Sequence, residues 1–189
     1  MSQSFNRNKN VIGINAYHAD SAACLIVNGK LVAAIEEERI NRLKHWSGFP
    51  IEAIKFCISQ LDQKKKLGID LVFNSSSTNR ISNKFISLIK NPLLIFRGIK
   101  SIKKNLSIKK NLKKLFLLFP DIEFTVSHNE HHYCHIIYSY YASKFNESCF
   151  LSLDGFGDFK SSRWGYVKDG KFIFKGETKF PHSMGILYQ

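Results

Sequence analysis

The chain has 189 residues, of which 44% are hydrophobic and 13% aromatic, so it carries enough apolar side chains for a packed core and is not expected to be disordered. No apolar run approaches the ~18 residues of a membrane span, and the N-terminal segment is too polar for a signal peptide, so we expect a cytoplasmic protein. The four cysteines are widely spaced and form no CxxC pair, which argues against a zinc ribbon or a disulfide framework.

The net charge of +13 is unevenly distributed along the chain. Eleven Lys or Arg residues and no acidic residue lie between Arg80 and Lys114. Such a block is typical of a solvated helical face, and it is also typical of a binding surface for nucleic acid or an anionic membrane. One hypothesis for this chain is therefore a non-enzymatic remnant or a basic binding module with one of those partners.

The first third of the chain predicts three strands, a helix and a fourth strand. Short β-rich segments occupy residues 10–17, 22–29 and 31–39. Asn28-Gly29 predicts a two-residue hairpin between the second and third of them. Pro50 marks a helix start, because isoleucines then recur at helical spacing. Residues 69–76 predict a buried strand.

The middle of the chain predicts helices separated by a strand. Residues 82–119 are helical in pattern, with an apolar stripe opposite the lysines. The stripe contains Ile108, Leu112, Leu115, Phe116 and Phe119. Residues 122–128 predict a fifth strand. The histidine-rich stretch after it predicts a helix whose inner side includes Ile136, Tyr140 and Tyr141.

After Asn146 the pattern of the first three strands starts again. Strands are predicted in CFLSLDGFGDF, SSRWGYVKDG and KFIFKGETKF. This order is that of a duplicated β-β-β-α-β-α-β unit, so we predict an α/β protein with a ribonuclease-H-like duplicated fold. The first copy is complete over residues 1–146, and the second is truncated over residues 147–189.

Four of the seven histidines lie between His128 and His135. His131 and His135 are four residues apart, so on a helix their imidazoles share one face and can reach a single metal ion. His132 points about a quarter turn away, and His128 lies at the helix entry. A complete site needs a third histidine or carboxylate from elsewhere. Surface or core histidines would give the same spacing, so both interpretations stay open.

The segment from Asp154 to Asp158 follows a hydrophobic strand directly. Gly155 and Gly157 predict a tight turn whose amide groups could face a phosphate, with Asp154 holding a cation or a hydroxyl. A hairpin turn without a ligand explains the same residues.

The turn after the first strand is similar, because it contains His18, Asp20 and Ser21. If the two turns face each other, they would form a phosphate clamp. Lys44 and His45 follow the third strand and could donate to an anionic substrate, although an ordinary solvated loop is the alternative.

Together these segments resemble the carbamoyltransferase family of nodulation and antibiotic-tailoring enzymes, at the start of its Kae1-like domain. The matching segments are, in chain order, GINAYHADSAACLIVNGKLVAAIEEERINRLKH, FP, EHHYCHIIYSYY, SLDGFGD and FPHSMGILYQ. They run along nearly the whole chain and leave out only the basic segment in its middle.

The resemblance implies an actin/acetate-kinase-type duplicated fold and an ATP-dependent O-carbamoyltransferase. One domain of such enzymes makes carbamoyl adenylate from carbamoyl phosphate and ATP, and the Kae1-like domain transfers the carbamoyl group to a hydroxyl of a small-molecule or saccharide acceptor. By the same resemblance, His131 and His135 bind a divalent, iron-type ion, and His18 assists proton removal from the acceptor. Lys44 and Asp154 would hold the adenylate or the acceptor.

The sequence departs from the family pattern in three places. Its first loop reads His18-Ala19-Asp20-Ser21 instead of His-Asp-x-Ser. The family's third metal ligand, an Asp, would lie beyond Gln189, and the adenylate-forming domain is missing. We therefore expect the chain to be incomplete as an enzyme unless the missing part acts in trans. A ribonuclease-H-like nuclease is a weaker alternative, because the acids on the strands do not form the usual cluster.

Overall fold

A computed structural model of the chain describes residues 10–18, 20–61, 67–75, 92–158, 160–179 and 182–187, without the side chains of residues 67, 92–102 and 156. These residues form a mixed α/β protein that divides into two compact units. The first unit contains the described residues up to Phe73 and from Pro92 to His128, and the second contains the described residues from Asn129 onward together with Asn74 and Ser75.

A five-stranded sheet is the centre of the first unit. Its strands are β1 (Asn10–Asn15), β2 (Ala22–Val27), β3 (Lys30–Glu36), β4 (Leu67–Phe73) and β5 (Ile122–His128). The strand order is β3-β2-β1-β4-β5. Strands β1 to β3 pair antiparallel, whereas β4 pairs parallel with both β1 and β5. The helices of this unit are α1 (Glu37–Asn41), α2 (Ile51–Ser59) and α3 (Pro92–Leu118).

The core of the first unit is formed by apolar residues that alternate with more exposed residues along the strands and recur at helical spacing along α2. On β4, Ile69, Leu71 and Phe73 alternate with less buried residues, and all three are almost completely buried. On α2, Ile54 and Ile58 lie one turn apart on the buried face. The predicted isoleucine-rich helix after Pro50 is therefore confirmed. The predicted buried strand is confirmed too, but it runs from Leu67 to Phe73 instead of over residues 69–76.

Buried Glu37 joins the end of β3 to the start of α2. Its backbone N–H donates to the Ser21 carbonyl at 2.9 Å. Its side chain accepts hydrogen bonds from the backbone N–H groups of Glu52 at 3.2 Å and Ala53 at 2.7 Å. These amides in the first turn of α2 have no acceptor within the helix, so the carboxylate acts as its N-terminal cap.

The second unit contains a three-stranded antiparallel sheet with the order β6-β7-β8. Its elements are α4 (His131–Ser143), β6 (Ser148–Gly157), β7 (Lys160–Lys168), β8 (Lys171–Lys179) and α5 (Met184–Leu187). Helix α4 packs on β6, so it belongs to this unit, whereas the sequence places the boundary after Asn146.

The two sheets repeat one local feature, the connection between their second and third strands. Asn28 and Gly29 join β2 to β3 with φ angles of 52° and 79°, and Asp169 and Gly170 join β7 to β8 with 50° and 67°. Both are two-residue hairpins with two left-handed residues, the type I′ geometry that Asn-Gly and Asp-Gly favour. The predicted Asn28-Gly29 hairpin is confirmed.

Several predicted boundaries differ in the structure. Strand β3 ends at Glu36 and not at Arg39, because α1 begins at Glu37. The predicted helix 82–119 is described from Pro92 to Leu118, and residues 82–91 lie outside the described part of the chain. Tyr141 is 70% exposed, so its assignment to the inner side of α4 was wrong.

No helix among the described residues is both long enough and apolar enough to cross a bilayer.

We expect Glu37→Ala to lower the free energy of unfolding by about 2 kcal/mol, because the two amides at the start of α2 lose their buried acceptor. The measurement is urea unfolding followed by far-UV circular dichroism. Glu36→Ala is the matched control, because its carboxylate is 42% exposed and pairs with Arg39 at the surface. A loss of equal size in both variants would contradict the capping role.

Candidate functional site

Helix α4 begins at His131 because Glu130 caps it. The Glu130 side chain accepts from the Tyr133 backbone N–H at 3.0 Å. The same carboxylate accepts from Arg163 Nη1 on β7 at 2.8 Å. A second carboxylate, that of Asp158, accepts from the His131 backbone N–H at 3.0 Å. The start of α4 is therefore fixed to the hairpin formed by β6 and β7.

Three ligand-type atoms converge at this end of α4. His131 Nε2 lies 3.0 Å from His135 Nε2 and 2.9 Å from Asp154 Oδ2. All three atoms lie within 4.8 Å of one another. Two ligand atoms bound about 2.1 Å from one ion at a right angle are about 3.0 Å apart, so these separations suit a single cation. The predicted pair of histidines is brought together, and Asp154 joins it.

The hydrogen-bonding capacity of His131 Nε2 also suits a cation at this position. An ionised carboxylate only accepts hydrogen bonds, and one imidazole nitrogen carries at most one proton. A proton on His131 Nε2 can therefore satisfy either Asp154 or His135, whereas a cation would satisfy all three groups. His135 is exposed, but partial desolvation by neighbouring atoms lowers its pKa, and the adjacent His131 lowers it further. His135 thus favours the neutral form, which has a lone pair for a metal.

The absence of a side chain at Gly157 leaves room for the His131 ring. A Cβ at residue 157 would lie 2.0 Å from His131 Cδ2 and 2.8 Å from Nε2, so no other amino acid fits without moving the ring. A Cβ at Gly155 would meet no atom within 4 Å. The two glycines of the predicted turn therefore have different roles, and Gly157 permits close approach of a side chain.

The predicted tight turn does not begin at Asp154, because the strand continues to Gly157 and the turn begins at Asp158. Residues up to Gly157 belong to β6, whose pairing with β7 shifts register between Leu153 and Gly157. Among these residues, the left-handed conformation is found at Asp158, with a φ of 51°. The irregular strand segment turns Asp154 toward the histidines. Whether the backbone amides of Gly155 and Gly157 bind a phosphate stays a prediction.

The segment around α5 holds the backbone of Asp154 in place. Ser183 Oγ donates to the carbonyl oxygens of Asp154 at 3.1 Å and Gly155 at 2.7 Å. A Cβ at Gly185 would lie 2.5 Å from the Asp154 carbonyl, so this glycine permits backbone-to-backbone contact. The motif HSMG contains these two residues, but nothing in its spacing indicated a positioning role.

The other two histidines of the stretch are not ligands of this cluster. His132 is completely buried, and its Nε2 donates to the Lys160 carbonyl at 3.1 Å while its Nδ1 lies 2.8 Å from Ser152 Oγ. Both of its nitrogens are thus occupied. His128 ends β5 in the first unit, where its ring stacks on Phe73 with centroids 5.1 Å apart.

The remaining predicted residues, His18 and Lys44, lie in loops of the first unit. Both side chains are exposed, and Lys44 Nζ lies 3.1 Å from Glu38 Oε1. The His45 backbone N–H donates to Glu38 Oε2 at 2.8 Å. This bond, and then Lys44, lowers the pKa of Glu38. His45 Nδ1 donates to Asp20 Oδ1 at 2.9 Å.

Glu38 was missed by sequence reasoning, because its partners are not spaced on one helical face. Glu38, Asp20 and His45 also lie close enough for a metal ion. Both Glu38 oxygens are already engaged by cationic or N–H groups, however, so this cluster is better described as an ion-pair network that holds Lys44.

Buried Ser21 ties the first-strand loop to the loop around Lys44. Its Oγ donates to the Gly48 carbonyl at 2.8 Å, and its N–H donates to the Trp46 carbonyl at 2.9 Å. Asp20 and His45 adopt left-handed φ angles of 60° and 53°. Such angles are uncommon for residues other than glycine, although Asp and His adopt them more readily than most.

Comparisons with known proteins give one family and two long relatives. The sequence profile described as Carbamoyltransferase N-terminus matches residues 10–189. The uncharacterized protein sll1178 of Synechocystis sp. is 30% identical over 187 residues, which cover 94% of this chain and 30% of that relative. Nodulation protein NolNO of Sinorhizobium fredii is 30% identical over 179 residues, which cover 92% of this chain and 25% of that relative. The chain thus spans less than a third of the length of these relatives.

We expect Gly157→Ala to weaken Co²⁺ binding to the purified chain by about 10- to 100-fold, because the added methyl group displaces the His131 ring. Isothermal titration calorimetry with Co²⁺ measures the affinity. Gly155→Ala is the matched control, because its Cβ has open space. Equal affinities for the Gly157→Ala variant and the unmodified chain would show that the seating of His131 does not matter for binding a metal.

Proposed function

Because the chain belongs to the carbamoyltransferase N-terminal family, we propose that it supplies the carbamoyl-transferring, metal-binding part of an ATP-dependent O-carbamoyltransferase. Carbamoyl phosphate would be the carbamoyl source, carbamoyl adenylate the intermediate, and a hydroxyl of a small molecule or saccharide the acceptor. The family match over residues 10–189 supports the general activity.

The observation that carries the proposal is the convergence of His131, His135 and Asp154. We assign these residues to a divalent ion of the iron type, because two imidazoles and a carboxylate suit such an ion. When bound, the ion would act as a Lewis acid toward an acyl or phosphate oxygen. Asp154 is thereby assigned to the ion in preference to direct contact with the adenylate. Gly157 seats His131, and Ser183 holds the backbone of Asp154.

In the first unit we propose two roles for the exposed loop residues. Lys44 would attract an anionic group of the substrate, and Glu38 would hold its ammonium group near the position it has in the structure. His18 would accept the proton of the acceptor hydroxyl, since an imidazole is the side chain best suited to general base catalysis near neutral pH. The loop that contains His18 is anchored by Ser21, which favours a fixed backbone position for the base.

We further propose that the two units are the first copy and the start of the second copy of a ribonuclease-H-like, actin/acetate-kinase-type fold. The sheet order β3-β2-β1-β4-β5 supports this, because three antiparallel strands are followed by two parallel ones. The antiparallel order β6-β7-β8, with a type I′ hairpin at the equivalent connection, is what a repeat of β1 to β3 would give.

Complete turnover is proposed to need the adenylate-forming domain, either in the same protein or in trans. The chain covers 30% and 25% of the two long relatives, which leaves room in proteins of that size for such a domain.

The test is a reconstituted assay with carbamoyl adenylate formation and carbamoyl transfer measured separately by mass spectrometry. A chimera carries this chain in place of the matching segment of NolNO, and it receives ATP, carbamoyl phosphate, Fe²⁺ and a panel of saccharides. We expect His18→Ala to reduce transfer by about 10²- to 10⁴-fold while adenylate formation continues, because only proton removal is lost.

His182→Ala is the control in that assay, because it removes an exposed imidazole that has no assigned role. Transfer that is unchanged in the His18→Ala chimera would remove His18 from the mechanism. A chimera that forms carbamoyl adenylate but transfers to no hydroxyl acceptor would contradict the proposed function.

A further inference from the structure

Helix α3 has a buried face and a face that points away from the first unit. Ile108 and Leu115 are buried in the core, and Leu112 packs against it. Asn111 Nδ2 donates to Tyr17 Oη at 3.1 Å, which fixes the same side of the helix to the loop after β1. The orientation of α3 about its own axis is therefore set by these contacts.

The opposite face combines exposed leucines with exposed lysines. Leu106 is 62% exposed and Leu117 is 73% exposed. They are eleven residues apart, so at about 100° per residue they differ by about 20° around the helix axis. Lys110 and Lys113 lie between them on the same stripe. We call the stripe the outer face of α3, and it consists of Lys103, Leu106, Lys110, Lys113 and Leu117, flanked by Lys109 and Lys114.

No acidic residue in the helix offsets the positive charge of the outer face. No Asp or Glu occurs anywhere between Leu71 and Pro120. An amphipathic surface helix usually places polar side chains opposite its buried face and leaves large apolar side chains out of that stripe. Two leucines aligned with lysines on the outward side would suit a partner that is both anionic and apolar.

We propose that the outer face of α3 docks on an anionic phospholipid surface. The lysines would contact the lipid headgroups, and Leu106 and Leu117 would enter the boundary between headgroups and acyl chains. Clusters of four to eight cationic residues on an amphipathic helix are typical of this recognition. The proposal does not depend on the carbamoyltransferase chemistry.

A nucleic acid is the less favoured partner for this face. Its phosphates would attract the lysines, but two exposed leucines gain little against a phosphate backbone. The face also lacks the Arg, Asn and Gln side chains that read base edges.

The test is flotation of the purified chain with phosphatidylcholine vesicles that contain or lack phosphatidylglycerol, at low and high salt. We expect binding only to the anionic vesicles, and weaker binding at high salt because the headgroup charges are screened. Lys110→Gln/Lys113→Gln should weaken binding on the order of 20-fold, since each lysine near such a surface contributes about fivefold.

Lys168→Gln/Lys171→Gln is the matched control, because it removes the same charge from exposed positions of the β7–β8 hairpin. Leu106→Ser/Leu117→Ser should weaken vesicle binding about tenfold at unchanged charge. Leu31→Ser, at a residue that is 67% exposed on β3, controls for the loss of an exposed leucine. Circular dichroism before and after flotation confirms that every variant is folded.

Absence of binding to anionic vesicles at low salt would overturn the proposal, as would equal losses in the α3 variants and their controls. Binding of a random-sequence DNA duplex by both the unmodified chain and the leucine variant, without vesicle binding, would assign the outer face to nucleic acid instead.

Discussion

A Cβ atom at residue 157 and the His131 imidazole would occupy the same space, since only 2.0 Å would separate that atom from the ring. The ring lies where it does because β6 has a glycine at this point. Imidazole is planar and rigid, so the position of its ring fixes Nε2, the nitrogen that faces both His135 and Asp154. The arrangement of the whole candidate centre therefore depends on the close approach of this ring to a strand backbone.

Hydrogen bonds and packing fix the backbone on both sides of this contact, on helix α4 and on strand β6. On the helix side, Glu130 and Asp158 accept hydrogen bonds from amides in the first turn of α4. On the strand side, Ser183 donates to the Asp154 carbonyl and Gly185 packs against it. Ligands positioned in this way lose little conformational entropy on binding an ion, which favours a preformed site.

Different contacts hold the loops of the first unit. Glu38 accepts from Lys44 and from the His45 backbone, and buried Ser21 donates to the carbonyl of Gly48. These contacts maintain left-handed conformations at residues other than glycine.

Much of the fold could be predicted from the sequence, because the patterns that indicate each element lie within that element. Asn28-Gly29 predicts its hairpin from backbone preference alone, and the alternating residues of β4 predict burial. The spacing of His131 and His135 likewise predicts a shared helix face, and the structure brings their nitrogens within 3.0 Å.

The rest depends on contacts between residues distant in the chain. Asp154 was assigned to a turn because glycine-rich sequence favours turns, whereas pairing with β7 extends the strand through Gly157. The role of Gly157 could not be predicted, because it depends on a ring 26 positions earlier in the sequence. Burial of His132 likewise depends on Ser152 and the Lys160 carbonyl, which only the packing of α4 on the sheet brings together.

X-ray absorption spectroscopy of the purified chain loaded with one equivalent of Co²⁺ shows whether His131, His135 and Asp154 bind one metal ion. We expect a first shell of nitrogen and oxygen atoms at about 2.0–2.2 Å, with the outer-shell scattering of two imidazoles. Both imidazole signals should disappear in the His131→Ala/His135→Ala variant. A spectrum without imidazole scattering, or one that is the same in both proteins, would contradict a metal centre at His131, His135 and Asp154.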